Sequence, residues 1–183
     1  MYNKNWKDIS YLKAGNDKQR KSYEILTHIK IFNILSEYNP ILVGTIPLGI
    51  DIENSDLDII CKVNHFEKFK NILIDNFAIY KDFKITYKEE FVTICNFIVE
   101  GIEIEIYGST YDTEKSNGYR HMIVEDRLLN LYGDNFRKDI IDLKINGLKT
   151  EPAFAKVLKL EDNPYKQLLL LETYSDEELY KKY

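Results

Sequence analysis

Ile41-Leu42-Val43-Gly44-Thr45-Ile46-Pro47-Leu48-Gly49-Ile50-Asp51-Ile52-Glu53-Asn54-Ser55-Asp56-Leu57-Asp58-Ile59-Ile60 reads as a short apolar strand, a loop and the start of a second strand. Residues 41–44 form the first strand, Pro47 and Gly49 break the chain over residues 45–54, and residues 55–63 form the second. Asp56 and Asp58 are separated by one apolar residue, so on a strand both carboxylates point to the same face. Two like charges side by side repel, and burying them without a partner is costly. A divalent cation relieves both costs. One or two carboxylates completed by substrate phosphates is the ligand set that Mg²⁺ takes. Gly44-Thr45 in the preceding loop suits a close approach of backbone to phosphate.

Working outward, Ile25, Ile29 and Phe32 recur at i, i+4, i+7 and predict a helix over residues 21–37, stopped by Asn39-Pro40. Phe66, Phe69 and Leu73 predict a helix over 66–74. Strands follow over 77–87, 91–99 and 102–107, the last two joined by Glu100-Gly101, a tight-hairpin signal. Beyond them the chain is helical, over 118–132, 135–146, 151–160 and 164–173. Gly133 and Gly147 end the first two, and Asn163-Pro164 supplies a cap and an N1 proline to the fourth. Ser175-Asp176-Glu177-Glu178 is a capping box for a short polar helix. The pattern is of the α+β type, a mixed sheet with flanking helices followed by a C-terminal helical part. The expected division is an α+β core with an N-terminal arm over 1–116 and a helical subdomain packed on it over 117–183.

The 183 residues are 44% hydrophobic and 13% aromatic, enough for a core. No apolar run is long enough to span a bilayer, and Met1–Trp6 lack the apolar stretch of a signal peptide, so no membrane partner and a cytoplasmic location are expected. Cys61 and Cys95 lie in apolar strand-like runs and read as buried thiols. The net charge is −5, from 25 basic and 30 acidic residues, and the lysines are dispersed. A protein that grips long nucleic acid normally presents a basic face. A small molecule or another protein is therefore the favoured second substrate, with tRNA-end recognition by a small patch left open.

A metal site built on two carboxylates wants a third. In Ile102-Glu103-Ile104-Glu105-Ile106-Tyr107, Glu103 and Glu105 share one face and the isoleucines the other, an alternation that an exposed edge strand explains equally well. Arg120-His121-Met122-Ile123-Val124-Glu125 is a second group of interest. His121, Glu125, Leu128 and Tyr132 fall on one helical stripe, polar at its N-terminal half and apolar at its C-terminal half. A helix buried at one end and lining a wet cleft at the other has this pattern, and so does a His–Glu pair at the edge of the core. Arg120 is placed to meet a phosphate or an acidic group. His28 and His65 read as boundary residues, and the three histidines show no zinc spacing. Asp51 and Glu53 read as solvated loop residues, the run from Glu172 to Glu178 as a solvated helix end, and Trp6, Tyr11 and Leu12 as packing for the N-terminal arm.

Gly44-Thr45, the Asp56-Leu57-Asp58 strand motif and a third carboxylate on a later strand together resemble the polymerase-β-like nucleotidyltransferase superfamily. More narrowly, residues 43–50 with Ser55-Asp56-Leu57-Asp58-Ile59 resemble a bacterial nucleotidyltransferase-like family known mainly as a domain of unknown function. That family also shows blocks like Arg120-His121-Met122 with Glu125, and like residues 147–155. The resemblance runs from about Gly15 to Glu172 and implies a nucleotidyltransferase-like mixed sheet. It implies transfer of a nucleoside monophosphate from an NTP to an unidentified acceptor. It also implies Asp56, Asp58 and Glu105 as catalytic and metal-binding residues for Mg²⁺, with Mn²⁺ as the alternative ion. Gly44, Thr45, Ser55, Arg120, His121 and Glu125 are then the nucleotide- and substrate-binding residues. Thr45 stands where the superfamily commonly has Gly or Ser, and Glu105 where it often has Asp. Glu105 is preferred to Glu103 because it lies two residues before Tyr107-Gly108, where the strand hands over to the site. Two other readings compete. One is a catalytically inactive nucleotide-binding or partner-binding protein, as in a toxin–antitoxin-like pair. The other is a sugar-nucleotide glycosyltransferase, which needs a larger nucleotide-binding half than the roughly 55 residues before the motif.

Overall fold

β2 (Leu57–Lys62) carries apolar side chains on both faces, as a central strand must. The computed structural model describes residues 4–89 and 91–182, so Met1, Tyr2 and Asn3 of the segment compared with a signal peptide lie outside it. β2 pairs antiparallel with β1 (Ile41–Val43) and parallel with β5 (Ile102–Ser109). β4 (Val92–Val99) and β3 (Lys81–Glu89) complete a five-stranded mixed sheet of order β1-β2-β5-β4-β3. The fold is α+β, as the sequence predicts.

The period of two sorts the side chains between two cores. Leu57, Ile59 and Cys61 of β2, Cys95 and Phe97 of β4, and Ile104 and Ile106 of β5 face one side of the sheet. There they meet α1 (Asp17–His28) and α4 (Phe66–Phe77). Ile41, Val43 and Ile60 face the other side and pack against α5 (Asn117–Ile145), α6 (Thr150–Val157), α7 (Pro164–Leu170) and α8 (Asp176–Lys182). Both cysteines are buried and free. Trp6 is buried in the second core and Leu12 in the first, which ties down the N-terminal arm. No helix of the described residues is long and apolar enough to cross a membrane.

Several boundaries move for identifiable reasons. The single helix expected over 21–37 begins earlier, because Asn16 and Gln19 form a capping box at the start of α1. It is then interrupted at Lys30, which has φ 53°, before the one-turn α2 (Ile31–Ile34) and a 3₁₀ turn. The loop expected over 45–54 opens with another single turn, α3 (Thr45–Leu48). α4 continues past residue 74 because Phe69, Leu73 and Phe77 form one stripe, and Phe77 stacks on Phe97 at 5.1 Å. The break expected at Gly133 is present: α5 comprises two helical stretches that meet at a kink there, with Gly133 at non-helical φ 75°, ψ −159°. The acidic C-terminal run is not wholly solvated, since Glu172 pairs with Arg120 and Asp176 with Arg127.

Gly108 of β5 sits opposite Cys61, where an added Cβ would lie 2.5 Å from Phe69 Cε1 and 2.9 Å from Val63 Cγ2. Overpacking a filled core typically costs about 1–3 kcal/mol. Gly108→Ala should lower the urea midpoint by a corresponding amount with the m-value unchanged.

Candidate active-site cleft

The parallel register of β2 and β5 sets Asp58 directly beside Glu105, and Asn96 of β4 beyond it. Asp56 precedes β2 by one residue and returns to the same face as Asp58. These side chains share their face with Ile60 and Tyr107, but at the end of the strands that the helices leave open. A cleft of about 1110 Å³ lies there between the sheet and α5–α6. Gly44, Thr45, Ser55, Asp56, Asp58 and Glu105 line its sheet side, and His121, Glu125 and Glu151 its helical side. Glu103 is exposed and does not line the cleft; Asn96 Nδ2 donates to both Glu103 and Glu105 at 3.2 Å. Of the two alternating carboxylates it is Glu105 that faces the Asp pair.

Gly44 has φ 84° and ψ −154°, and a Cβ built on it would lie 2.5 Å from Asp58 Oδ2. A side chain at position 44 would thus fail on backbone conformation and on space. The Thr45 hydroxyl lies 3.2 Å from Ser55 Oγ, which accepts from the Ile52 N–H at 2.9 Å. Ser55 therefore holds the loop back against the strand entrance. Burial, with the charges of Asp56, Glu105, Glu103 and Glu151 adding, pushes the Asp58 carboxyl up to about 7. Neither Asp56 nor Asp58 makes an ion pair within 4.0 Å among the described residues.

On the helical side, α5 places His121 and Glu125 one turn apart, and both are buried. Burial lowers the His121 imidazole from its usual range; it raises the Glu125 carboxyl well above its own, with Glu151 adding and Lys144 opposing. Among the described residues, the group of three ligating side chains whose donor atoms all lie within 4.8 Å of one another is His121, Glu125 and Glu151. Asp56, Asp58 and Glu105 stand more openly. Arg120 does not line the cleft: its guanidinium makes a bidentate pair with Glu172, at 3.0 Å from Nε and 2.6 Å from Nη2.

Lys115, Lys144, Lys149 and Glu151 also line the cleft, although none belongs to the carboxylate, Gly44-Thr45 or His121–Glu125 groups. Glu151 lies within the block at residues 147–155. Lys144 has a signal of its own, since it continues the buried stripe of Phe136 and Ile140. Its Nζ donates to the Ile50 carbonyl at 2.7 Å, and burial lowers its amine to about 8 against the raising effects of Glu125, Asp51, Glu151 and Asp56.

Residues 24–171 match the family described as a domain of unknown function, DUF4269. The chain belongs to that family. No curated protein matches this DUF4269 chain. Among solved structures it is similar to one described as the GLD-2/RNP-8 complex, at 15% identity over 82% of this chain and 61% of that one, with a TM-score of 0.53. It is similar to the polymerase core of TRAMP, an RNA surveillance complex, at 14% identity over 94% and 60%, TM-score 0.53. It is also similar to the Cid1 poly(U) polymerase with Mg 3′-dATP bound, at 12% identity over 89% and 53%, TM-score 0.56. The DUF4269 chain thus has the polymerase-β-like nucleotidyltransferase fold, and it spans 53–61% of the length of these three relatives.

The raised Asp58 carboxyl makes a signed prediction. Its value of about 7 lies above that of an unfolded Asp, so between the two the folded state holds the extra proton and stability falls as pH rises. Asp58→Asn removes this penalty. In buffer with chelator, urea unfolding should show the variant gaining on the wild type between pH 4 and pH 8, by on the order of 2–4 kcal/mol.

Proposed function

We propose that this chain is a Mg²⁺-dependent nucleotidyltransferase that moves a nucleoside monophosphate from an NTP to an acceptor, a small molecule or a protein. The observation that carries the reading is Asp58 beside Glu105, with the Gly44 backbone against the Asp58 carboxylate, at the mouth of a cleft on a nucleotidyltransferase fold. The residues fit a divalent cation. Three carboxylates face one space, and burial and mutual repulsion push Asp58 up with no cationic partner to relieve it.

Asp56, Asp58 and Glu105 would hold Mg²⁺, or Mn²⁺ as the alternative, and the ion would supply charge neutralisation to the triphosphate. Gly44 brings backbone without a side chain of its own up to the Asp58 carboxylate, where a cation-bound phosphate would sit, and Thr45 adds a hydroxyl held by Ser55. Lys115 and Lys149 stand at the cleft for the terminal phosphates. His121 and Glu125 form the wall on the acceptor side. In the reaction an acceptor oxygen or nitrogen bonds to the α-phosphorus, the bond from that phosphorus to the β-bridging oxygen breaks, and pyrophosphate leaves. The acceptor proton passes to a carboxylate or to water. Arg120 has no part in this reading while Glu172 holds it.

The experiment is incubation with α-labelled NTPs, Mg²⁺ and cell extract. Wild type should transfer label to a discrete species, and Asp56→Asn and Asp58→Asn should each reduce transfer by about a hundredfold or more. Calorimetry should show NTP binding that needs Mg²⁺ and is lost in Asp58→Asn. Transfer unchanged in Asp58→Asn, or no Mg²⁺-dependent NTP binding, would overturn the proposal. Binding without transfer would favour the inactive nucleotide-binding alternative.

A further inference from the structure

The helical wall of the cleft poses a separate problem. Glu125 is 3% exposed and His121 is 8% exposed. Only burial and the charges of Glu151 and Lys144 act on the Glu125 carboxyl, with no hydrogen bond to it among the described residues, and His121 Nδ1 is buried with no hydrogen-bond partner. Glu151, from the first turn of α6, brings a second carboxylate to the same point. Lys144 eases Glu125 by its charge alone, since its Nζ donates to the Ile50 carbonyl and makes no direct bond to the carboxylate. An isolated buried carboxylate is among the costliest groups a fold can hold, and a second carboxylate beside it raises the cost. A structural His–Glu pair at a core edge would show a hydrogen bond between the two, and none is present.

We propose that His121, Glu125 and Glu151 form a binding site for one divalent transition-metal ion of the zinc class, distinct from the carboxylates of β2 and β5. The donors are one imidazole nitrogen and two carboxylate oxygens, mutually within 4.8 Å. Ligands around tetrahedral zinc lie on the order of 3.4 Å apart, so closing the site needs side-chain adjustments of roughly 1 Å. The nitrogen donor decides the class of ion. Mg²⁺ and Ca²⁺ take oxygen, whereas imidazole suits Zn²⁺, Co²⁺ and their neighbours. Three protein ligands with the fourth position open is the arrangement of catalytic rather than structural zinc sites, and here all three residues line the cleft. The open position therefore faces whatever occupies the cleft. The site is independent of nucleotidyl transfer, because it requires only that these donors converge.

The test uses Co²⁺, whose visible absorption reports its ligands, on the full chain carrying Asp56→Asn and Asp58→Asn so that the sheet-side carboxylates are weakened. One equivalent should bind with a saturable visible band, and Zn²⁺ should displace it. Adding His121→Ala or Glu151→Gln should each weaken binding by at least about tenfold, since even outer-shell changes at metal sites cost that much. Glu151 is only half-buried, so Glu151→Gln keeps the test open if Glu125 variants fail to fold. Circular dichroism confirms the fold of each variant. Absence of Co²⁺ binding in the folded Asp56→Asn/Asp58→Asn protein, or affinity unchanged by both His121→Ala and Glu151→Gln, would overturn the site. Neither result would bear on Mg²⁺-dependent NTP binding by the wild type.

Discussion

Parallel strands in register set equivalent side chains side by side, and in this chain the register of β2 and β5 sets Asp58 against Glu105. Neighbouring strands are about 4.8 Å apart. Burial is the first cost to the charged Asp58 carboxyl, and the neighbouring carboxylates of Asp56 and Glu105 add to it. The same register fills the opposite face with Leu57, Ile59, Ile104 and Ile106, so the strands cannot slip by one residue to relieve the charges without exposing the first core. The fold fixes a repulsion that a bound cation would remove.

The loop before β2 is held with corresponding care. Gln19 Nε2 donates to the Ile46 carbonyl at 2.8 Å, Arg137 donates to the Leu48 carbonyl, and Lys144 donates to the Ile50 carbonyl at 2.7 Å. A loop would ordinarily leave these carbonyls to water. Here α1 and α5 supply the donors, and the chain between Gly44 and Ser55 is anchored to both helices. Lys144 touches this loop and the helical wall at once, because its amine also senses Glu125 and Glu151. The sheet side of the cleft offers only oxygen ligands, whereas the helical side adds an imidazole, so the two walls suit different ions.

Much of this was legible in the sequence because it rests on short periods. The alternation of Ile102 to Tyr107 and the spacing of Asp56 and Asp58 assign faces without any tertiary information. Glu100-Gly101 marked the hairpin, and both residues have positive φ, 50° and 84°. The capping box at Ser175 and Glu178 is present as read. What was hidden depends on partners far along the chain. Arg120 looks free for a phosphate until Glu172, 52 residues on, closes over it. Glu151 and Lys144 acquire meaning only when α6 and the loop at Ile50 fold against α5. The break at Lys30 has no glycine or proline to announce it, only a left-handed lysine that the packing of Ile29 and Ile31 imposes.

The central claim is that the fold holds carboxylates together at Asp58 for a cation. Thermal unfolding at pH 8, followed as Mg²⁺ is titrated into chelator-treated protein, tests it most directly, because a ligand that binds only the native state raises the midpoint with its concentration. The wild-type midpoint should rise, and go on rising with the logarithm of Mg²⁺ concentration once that exceeds the dissociation constant, while Asp58→Asn stays level. A wild-type midpoint indifferent to Mg²⁺, or an equal rise in both proteins, would contradict the account.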